Sequence, residues 1–266
     1  MTRDWRSGYV EAFGVRFHYY RGGVGKRPLV LAHGLSDNGM CWAPVALRWW
    51  DRYDIVLPDA RGHGLSDRLI LGHEMDPAAD LAAFLEAMNL GPVALGGHSM
   101  GASSAAVVAS RHPSLVSHLI LEDPGWRDPS LPADTSRRDG LARFRGKTLA
   151  ELISMRGREH PTWSEGEVIA SAQALIELDM NLVTTARLAP AWDTVLADVR
   201  CPGLVLTADP QLGAIVTPHV AALAASLWPQ GQFVHISGAG HSIRREQVEP
   251  FVAAVEAFLD QFYPPD

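Results

Sequence analysis

A serine between glycines and a histidine near the far end of the chain have the types and order that acyl-transfer chemistry requires. Ser99 stands in Gly97-His98-Ser99-Met100-Gly101. Its hydroxyl is a weak nucleophile until a base removes the proton, and imidazole does this best near neutral pH. His241, in Ser237-Gly-Ala-Gly-His241-Ser242, is the candidate base. Gly97 and Gly101 permit a sharp strand-to-helix turn that would lift the Ser99 oxygen above a sheet. Two backbone N–H groups are expected to hold the developing oxyanion: that of Met100, and that of Leu35 in His33-Gly34-Leu35-Ser36. The plainer readings are a chance glycine-rich turn and a solvent-exposed loop histidine. The order strand, serine, small-residue helix argues against the first.

Those residues need elements to position them, and the chain supplies short apolar runs alternating with amphipathic stretches. Strands are expected at Val15 to Tyr20 with Tyr9 to Phe13 as hairpin partner, then at 28–32, 54–58, 92–96, 118–122, 203–207 and 232–236. Continuous apolar strands suit a sheet buried on both faces. Helices are expected over 75–89, 102–111, 218–227 and 247–262, which makes βαβ crossovers and an α/β sandwich. From Pro124 to about Val199 the alternation stops. A Pro- and Arg-rich stretch there (Asp128 to Pro132, then Arg137-Arg138) precedes helical patterns at 149–158, 165–183 and 185–197. A structureless loop of that length is improbable. The expected organisation is a core of residues 1–123 and 200–266 with a helical cap, 124–199.

His33-Gly34-Leu35, Asp59-Ala-Arg-Gly-His-Gly-Leu-Ser-Asp67, the serine pentapeptide and Gly238-Ala-Gly-His241 resemble, in that order, the motifs of the α/β-hydrolase superfamily. The likeness is to its capped esterase, lactonase and C–C hydrolase branch and runs from about Tyr9 to Phe262. It implies a mostly parallel eight-stranded sheet flanked by helices, with the cap inserted after strand six. The arginine-glycine-histidine-glycine segment is then structural, and His63 and His98 are hydrogen-bonding neighbours. The resemblance also implies a triad acid, for which two positions compete. The family's usual place after strand seven falls on Gln211, which carries no charge, with Asp209 two residues early. Its other place, after strand six, falls on Asp123, the favoured candidate, although an Asp-Pro turn there also has a purely structural reading.

A serine at position 99 excludes the relatives that attack halides or epoxides with a carboxylate. Esters, lactones, thioesters and vinylogous C–C substrates remain. Trp126, Met155, Trp163, Met180 and Trp192 are candidate pocket residues and favour a small or medium hydrophobic ester or lactone. Each also fits a core position within the cap. A meta-cleavage C–C hydrolase and a low-turnover small-molecule receptor are the alternatives.

The 266 residues are 47% hydrophobic and 20% charged, as in an ordinary globular protein. The net charge of −7 argues against a nucleic-acid partner. With no signal-peptide run and no span of about 20 apolar residues, the expected place is the cytoplasm and no membrane partner is expected. The expected partner is a small-molecule substrate, acting on a monomer or homodimer. Cys41 and Cys201 read as buried thiols, and the histidines lack metal-site spacing. No cofactor is expected. Gly22-Gly-Val-Gly25 reads as a hairpin turn rather than a nucleotide loop.

Overall fold

The apolar runs become the interior of one sheet. A computed structural model describes residues 3–128, 130 and 140–265. Its strands are β1 (Arg6–Ala12), β2 (Val15–Gly22), β3 (Pro28–Ala32), β4 (Asp54–Pro58), β5 (Val93–His98), β6 (Val116–Glu122), β7 (Gly203–Thr207) and β8 (Gly231–His235). They lie in the order β1-β2-β4-β3-β5-β6-β7-β8. The β1–β2 and β2–β4 pairings are antiparallel and all others parallel. Every residue of β4, β5 and β7 is buried, which explains why their apolar runs do not alternate.

Helices cover both faces. On one side, α2 (Pro77–Met88), α3 (Met100–Arg111) and α7 (Pro218–Leu227) bury Leu81, Phe84, Ala105 and Val220 in one apolar cluster with Val30, Leu95 and Leu121. On the other, α1 (Ala43–Ala46) and α9 (Val248–Phe262) place Val45, Phe251, Val255 and Leu259 against Leu29, Leu31 and Leu204. The order β5–Ser99–α3 puts the serine at the carboxyl end of a central strand. No helix among the described residues is long and apolar enough to cross a membrane.

Between β6 and β7 the described chain forms α4 (Leu149–Glu159), α5 (Glu165–Glu177) and α6 (Trp192–Asp198). The stretch 131–139, which includes Arg137-Arg138, and Pro129 lie outside the described residues. Thr148 with Glu151, and Ser164 with Glu167, close capping boxes that start α4 and α5. Two expectations are corrected. The helix expected over 165–183 stops at Glu177 and resumes as a short 3-10 turn, Met180–Val183. The break serves Asp179, whose carboxylate accepts from Leu69 N and Asn181 N while its own N–H donates to the Gly62 carbonyl. The helix expected over 185–197 is only α6, because Arg187 pairs with Met75 as an isolated β-bridge.

Candidate active site

The turn after β5 holds Ser99 at φ 52° and ψ −109°, a region that L-residues rarely occupy. Its closeness explains both glycines. A Cβ on Gly97 would lie 2.4 Å from the Gly101 carbonyl carbon, and one on Gly101 would lie 2.3 Å from the Ala32 oxygen. Met100 opens α3, so its N–H has no intrahelical acceptor.

His241 sits in the loop between β8 and the short helix α8 (Ile243–Glu246). Its Nε2 is 3.0 Å from Ser99 Oγ, and its Nδ1 is 2.6 Å from Asp123 Oδ2. In this arrangement Nδ1–H donates to the carboxylate, leaving Nε2 free to accept the serine proton. Asp123 is fully buried and has φ 36°. Its oxygens also accept from Ile215 N (2.8 Å) and Val216 N (3.0 Å), in the loop after β7.

Asp209 is not brought to His241. It accepts from His235 Nε2 at 2.9 Å and from Gly238 N at 2.7 Å, and Gln211 is exposed on the turn beside it. Asp123 is thus the carboxylate that reaches the imidazole, and Asp209 as acid is corrected. The reason is the route of the loop: Asp209 N–H donates to the Ala239 carbonyl, and both carboxylate oxygens are taken up locally, by His235 and Gly238 N–H.

Leu35 N–H has no acceptor among the described residues, and the loop that carries it is held at three points. His63 Nε2 donates to the Leu35 carbonyl (2.8 Å), and Asp37 N–H to the Gly34 carbonyl (3.1 Å). His33 accepts from Ala60 N at Nε2 (3.0 Å), so its Nδ1–H donates to the Gly34 carbonyl (2.8 Å). Burial pushes the His63 imidazole down to about 4 and lowers His33, keeping both neutral. Asp59 accepts from His18, Gly39 N and Leu65 N, so the Asp59–Asp67 segment is structural.

An ion network missed in the sequence ties the three loops together. Arg244 donates through Nη1 to Glu122 Oε2 (2.8 Å), through its N–H to Glu122 Oε1 (2.9 Å) and through Nη2 to Asp37 Oδ2 (3.0 Å). Arg245 Nη2 donates to Asp37 Oδ1 at 3.1 Å. All four side chains are buried. Burial opposes charge on Asp37, but the Arg245 and Arg244 guanidiniums outweigh it and hold the carboxyl far below its usual range. Glu122 is raised by burial against the pull of Arg244. His98, also buried, donates from Nε2 to the His241 carbonyl at 2.9 Å. The signal was present: Asp37 beside Leu35, Glu122 beside Asp123, and Arg244-Arg245 within four residues of His241. Only the fold shows that they meet.

Above Ser99 opens a cavity of about 1280 Å³, walled by the sheet-end loops and by residues from between β6 and β7. Leu35, Met100, Trp126 and Trp192 line it, the two indoles stacked at 5.6 Å. Met155, Trp163 and Met180 do not line it, which corrects their place in the pocket. Met155 and Met180 pack on the cluster of Leu141, Leu152 and Leu175, and Trp163 is buried behind the wall. The wall also carries arginines, among them Arg143, Arg156 and Arg245, so it is less hydrophobic than the sequence suggested.

Comparison with known proteins bears on this arrangement. Residues 29–254 match the model of the alpha/beta hydrolase family. The chain is 30% identical to the N-formylmaleamate deformylase of Pseudomonas putida, over 95% of this chain and 96% of that one. It is 34% identical to the 2-hydroxy-6-oxononadienedioate/2-hydroxy-6-oxononatrienedioate hydrolase of Burkholderia vietnamiensis, over 53% and 52% respectively. The structure of a thermophilic esterase from Thermogutta terrifontis with malate bound superposes with a TM-score of 0.76 at 26% identity, covering 97% of this chain and 99% of that one.

Proposed function

From the premise that this chain belongs to the α/β-hydrolase family and is a hydrolase, we propose that it cleaves a small or medium carboxylic ester or lactone through an acyl-enzyme at Ser99. The observation that carries the reading is the unbroken run Ser99 Oγ–His241–Asp123 at the floor of the cavity. Ser99 Oγ attacks the carbonyl while His241 Nε2 takes its proton, and Asp123 steadies the imidazolium. The Leu35 and Met100 N–H groups receive the oxyanion, a pair of donors each worth roughly 3 kcal/mol of barrier. His241 then returns the proton to the leaving group, and a water activated by the same nitrogen releases the acid. The described residues between β6 and β7 act as the cap over the cavity.

A second reading is cleavage of an amide or a carbon–carbon bond by the same serine, favoured by the deformylase and dienedioate-hydrolase relatives. The two relatives named for their substrates act on carboxylic acids, and the esterase carries malate. A charged group on the substrate is therefore compatible with either reading.

A fluorophosphonate probe at neutral pH is expected to label wild type and not Ser99→Ala. Turnover of short 4-nitrophenyl esters, an N-formyl amide and a dienedioate then assigns the bond. An unlabelled Ser99 rejects the serine-hydrolase reading. Turnover of the amide or dienedioate without any ester rejects the first reading in favour of the second.

A further inference from the structure

We propose that Arg156 and Arg245 form a paired-guanidinium subsite that binds a carboxylate of the substrate inside the Ser99 cavity. The inference rests on that cavity being the substrate site of a serine hydrolase, and it names the chemical class of substrate: an anionic acyl compound.

The two arginines come from different parts of the chain. Arg156 projects from α4, and Arg245 from α8, four residues past His241. Both line the cavity that holds Ser99 and His241. Both are more than nine-tenths buried, at 8% and 4% exposure, in a place where an arginine needs a counter-charge. The Trp163 ring lies against both, with guanidinium carbons 5.1 Å and 4.4 Å from its centroid. A π-face that accepts two cations lowers the cost of keeping them near each other.

Their donors are not used up by the protein. Arg156 gives Nε to Ser171 Oγ (3.0 Å) and Nη1 to Glu159 Oε2 (2.9 Å), and Nη2 has no acceptor among the described residues. Arg245 gives Nη2 to Asp37, while Nη1 and the buried Nε have no acceptor among the described residues. The carboxylates nearby are already shared. Glu159 serves Arg143 and Arg156, Asp37 serves Arg244 and Arg245, and Glu122 serves Arg244. Along this set of ion pairs there are four guanidiniums and three carboxylates. A planar carboxylate supplies both the missing charge and acceptors for the unused forks, and guanidinium geometry suits it better than it suits a neutral amide.

The test uses the whole enzyme, a neutral reporter ester (4-nitrophenyl butyrate) and two inhibitors of nearly equal size, succinate and succinamide. Succinate is expected to inhibit wild type at least about tenfold more tightly than succinamide, the effect of one charge-assisted hydrogen bond. In Arg156→Gln and in Arg245→Gln that preference is expected to shrink to about threefold or less. Taking the ratio within each variant removes any general loss of activity from the comparison. Equal inhibition by the two compounds in wild type overturns the proposal, as does a preference that survives both substitutions. If Arg245→Gln does not fold, the wild-type ratio and Arg156→Gln decide. Failure of the hydrolase reading looks different: Ser99 stays unlabelled and the reporter is not turned over. Titration calorimetry of succinate against succinamide then still tests the subsite.

Discussion

Two loops at the carboxyl end of the sheet each set an aspartate against a histidine, and only one of the pairs touches the serine. After β6, Asp123 is fully buried, takes two backbone N–H groups and the His241 ring, and sits at positive φ. After β7, Asp209 meets His235, whose side chain is 47% exposed, and one backbone N–H. The residue types are the same, and the surroundings separate them. A carboxylate can orient and stabilise an imidazolium only if water does not screen it and its own geometry is fixed. The loop after β7 still contributes to the site, but through the amides of Ile215 and Val216, which hold Asp123 from behind.

The largest effect expected from this contrast is on turnover. Asp123→Asn leaves a side chain of the same shape but removes the charge and favours the wrong imidazole tautomer. Turnover of the best substrate is expected to fall by about 10⁴-fold. KM should move far less, because the carboxylate does not line the cavity. Steady-state kinetics of Asp123→Asn beside Asp209→Asn reads the contrast directly. Equal losses in the two variants would break it.

How much of this could be read in advance differs between the two loops. The serine turn, the oxyanion loop and His241 were legible because local backbone demands write themselves as glycines at fixed spacing around one reactive residue. The acid was legible only as a preference for Asp123 over Asp209, since both lie within two residues of a strand end and the path of the loop decides which one meets the ring. The Asp37–Glu122–Arg244–Arg245 network was hidden for a related reason, joining positions more than a hundred residues apart. Between β6 and β7, helical periodicity was right for α4. It overran at Glu177, where Asp179 leaves the helix to hold the Leu69 loop. Met155 and Met180 show the limit of reading pockets from composition, since a helix can turn the same apolar face to a cavity or to its neighbour.

The buried side of the contrast carries a pH signature. Burial lowers His33, His63 and His98, with His63 at about 4, whereas an unfolded histidine titrates near 6.5. Below pH 6.5 the unfolded chain therefore binds more protons than the folded one, so stability present above 6.5 is lost as the pH falls towards 4. Each such imidazole costs about 1.4 kcal/mol per pH unit within its window. Glu122 and Asp80, raised by burial, work in the opposite sense, two carboxyls against five rings once His118 and His160, which burial also lowers, are included. Carboxyls held below their usual range, such as Asp37, add their loss only under about pH 4. The urea midpoint is expected to be clearly lower at pH 5.0 than at pH 7.0. An unchanged midpoint would mean that these rings accept protons without unfolding, and the oxyanion loop would not depend on neutral His33 and His63.

The smallest effects belong to Asp209, and they grade by what each replacement keeps. Its carboxylate accepts the Gly238 N–H and its N–H donates to the Ala239 carbonyl, so it braces the loop that ends in His241 without touching the ring. An asparagine amide oxygen can take the same Gly238 N–H, and the pairing with His235 faces solvent, where ion pairs contribute little. Asp209→Asn should therefore stay within about threefold of wild-type turnover. Asp209→Ala removes the acceptor, frees the loop and should lower kcat a few-fold further while KM holds, the mark of a mispositioned base rather than a lost contact to substrate. If alanine and asparagine behave alike, the brace does not matter and Asp209 is surface. If both match Asp123→Asn, the charge at 209 acts on His241 through the loop, and the line drawn here between the two aspartates fails.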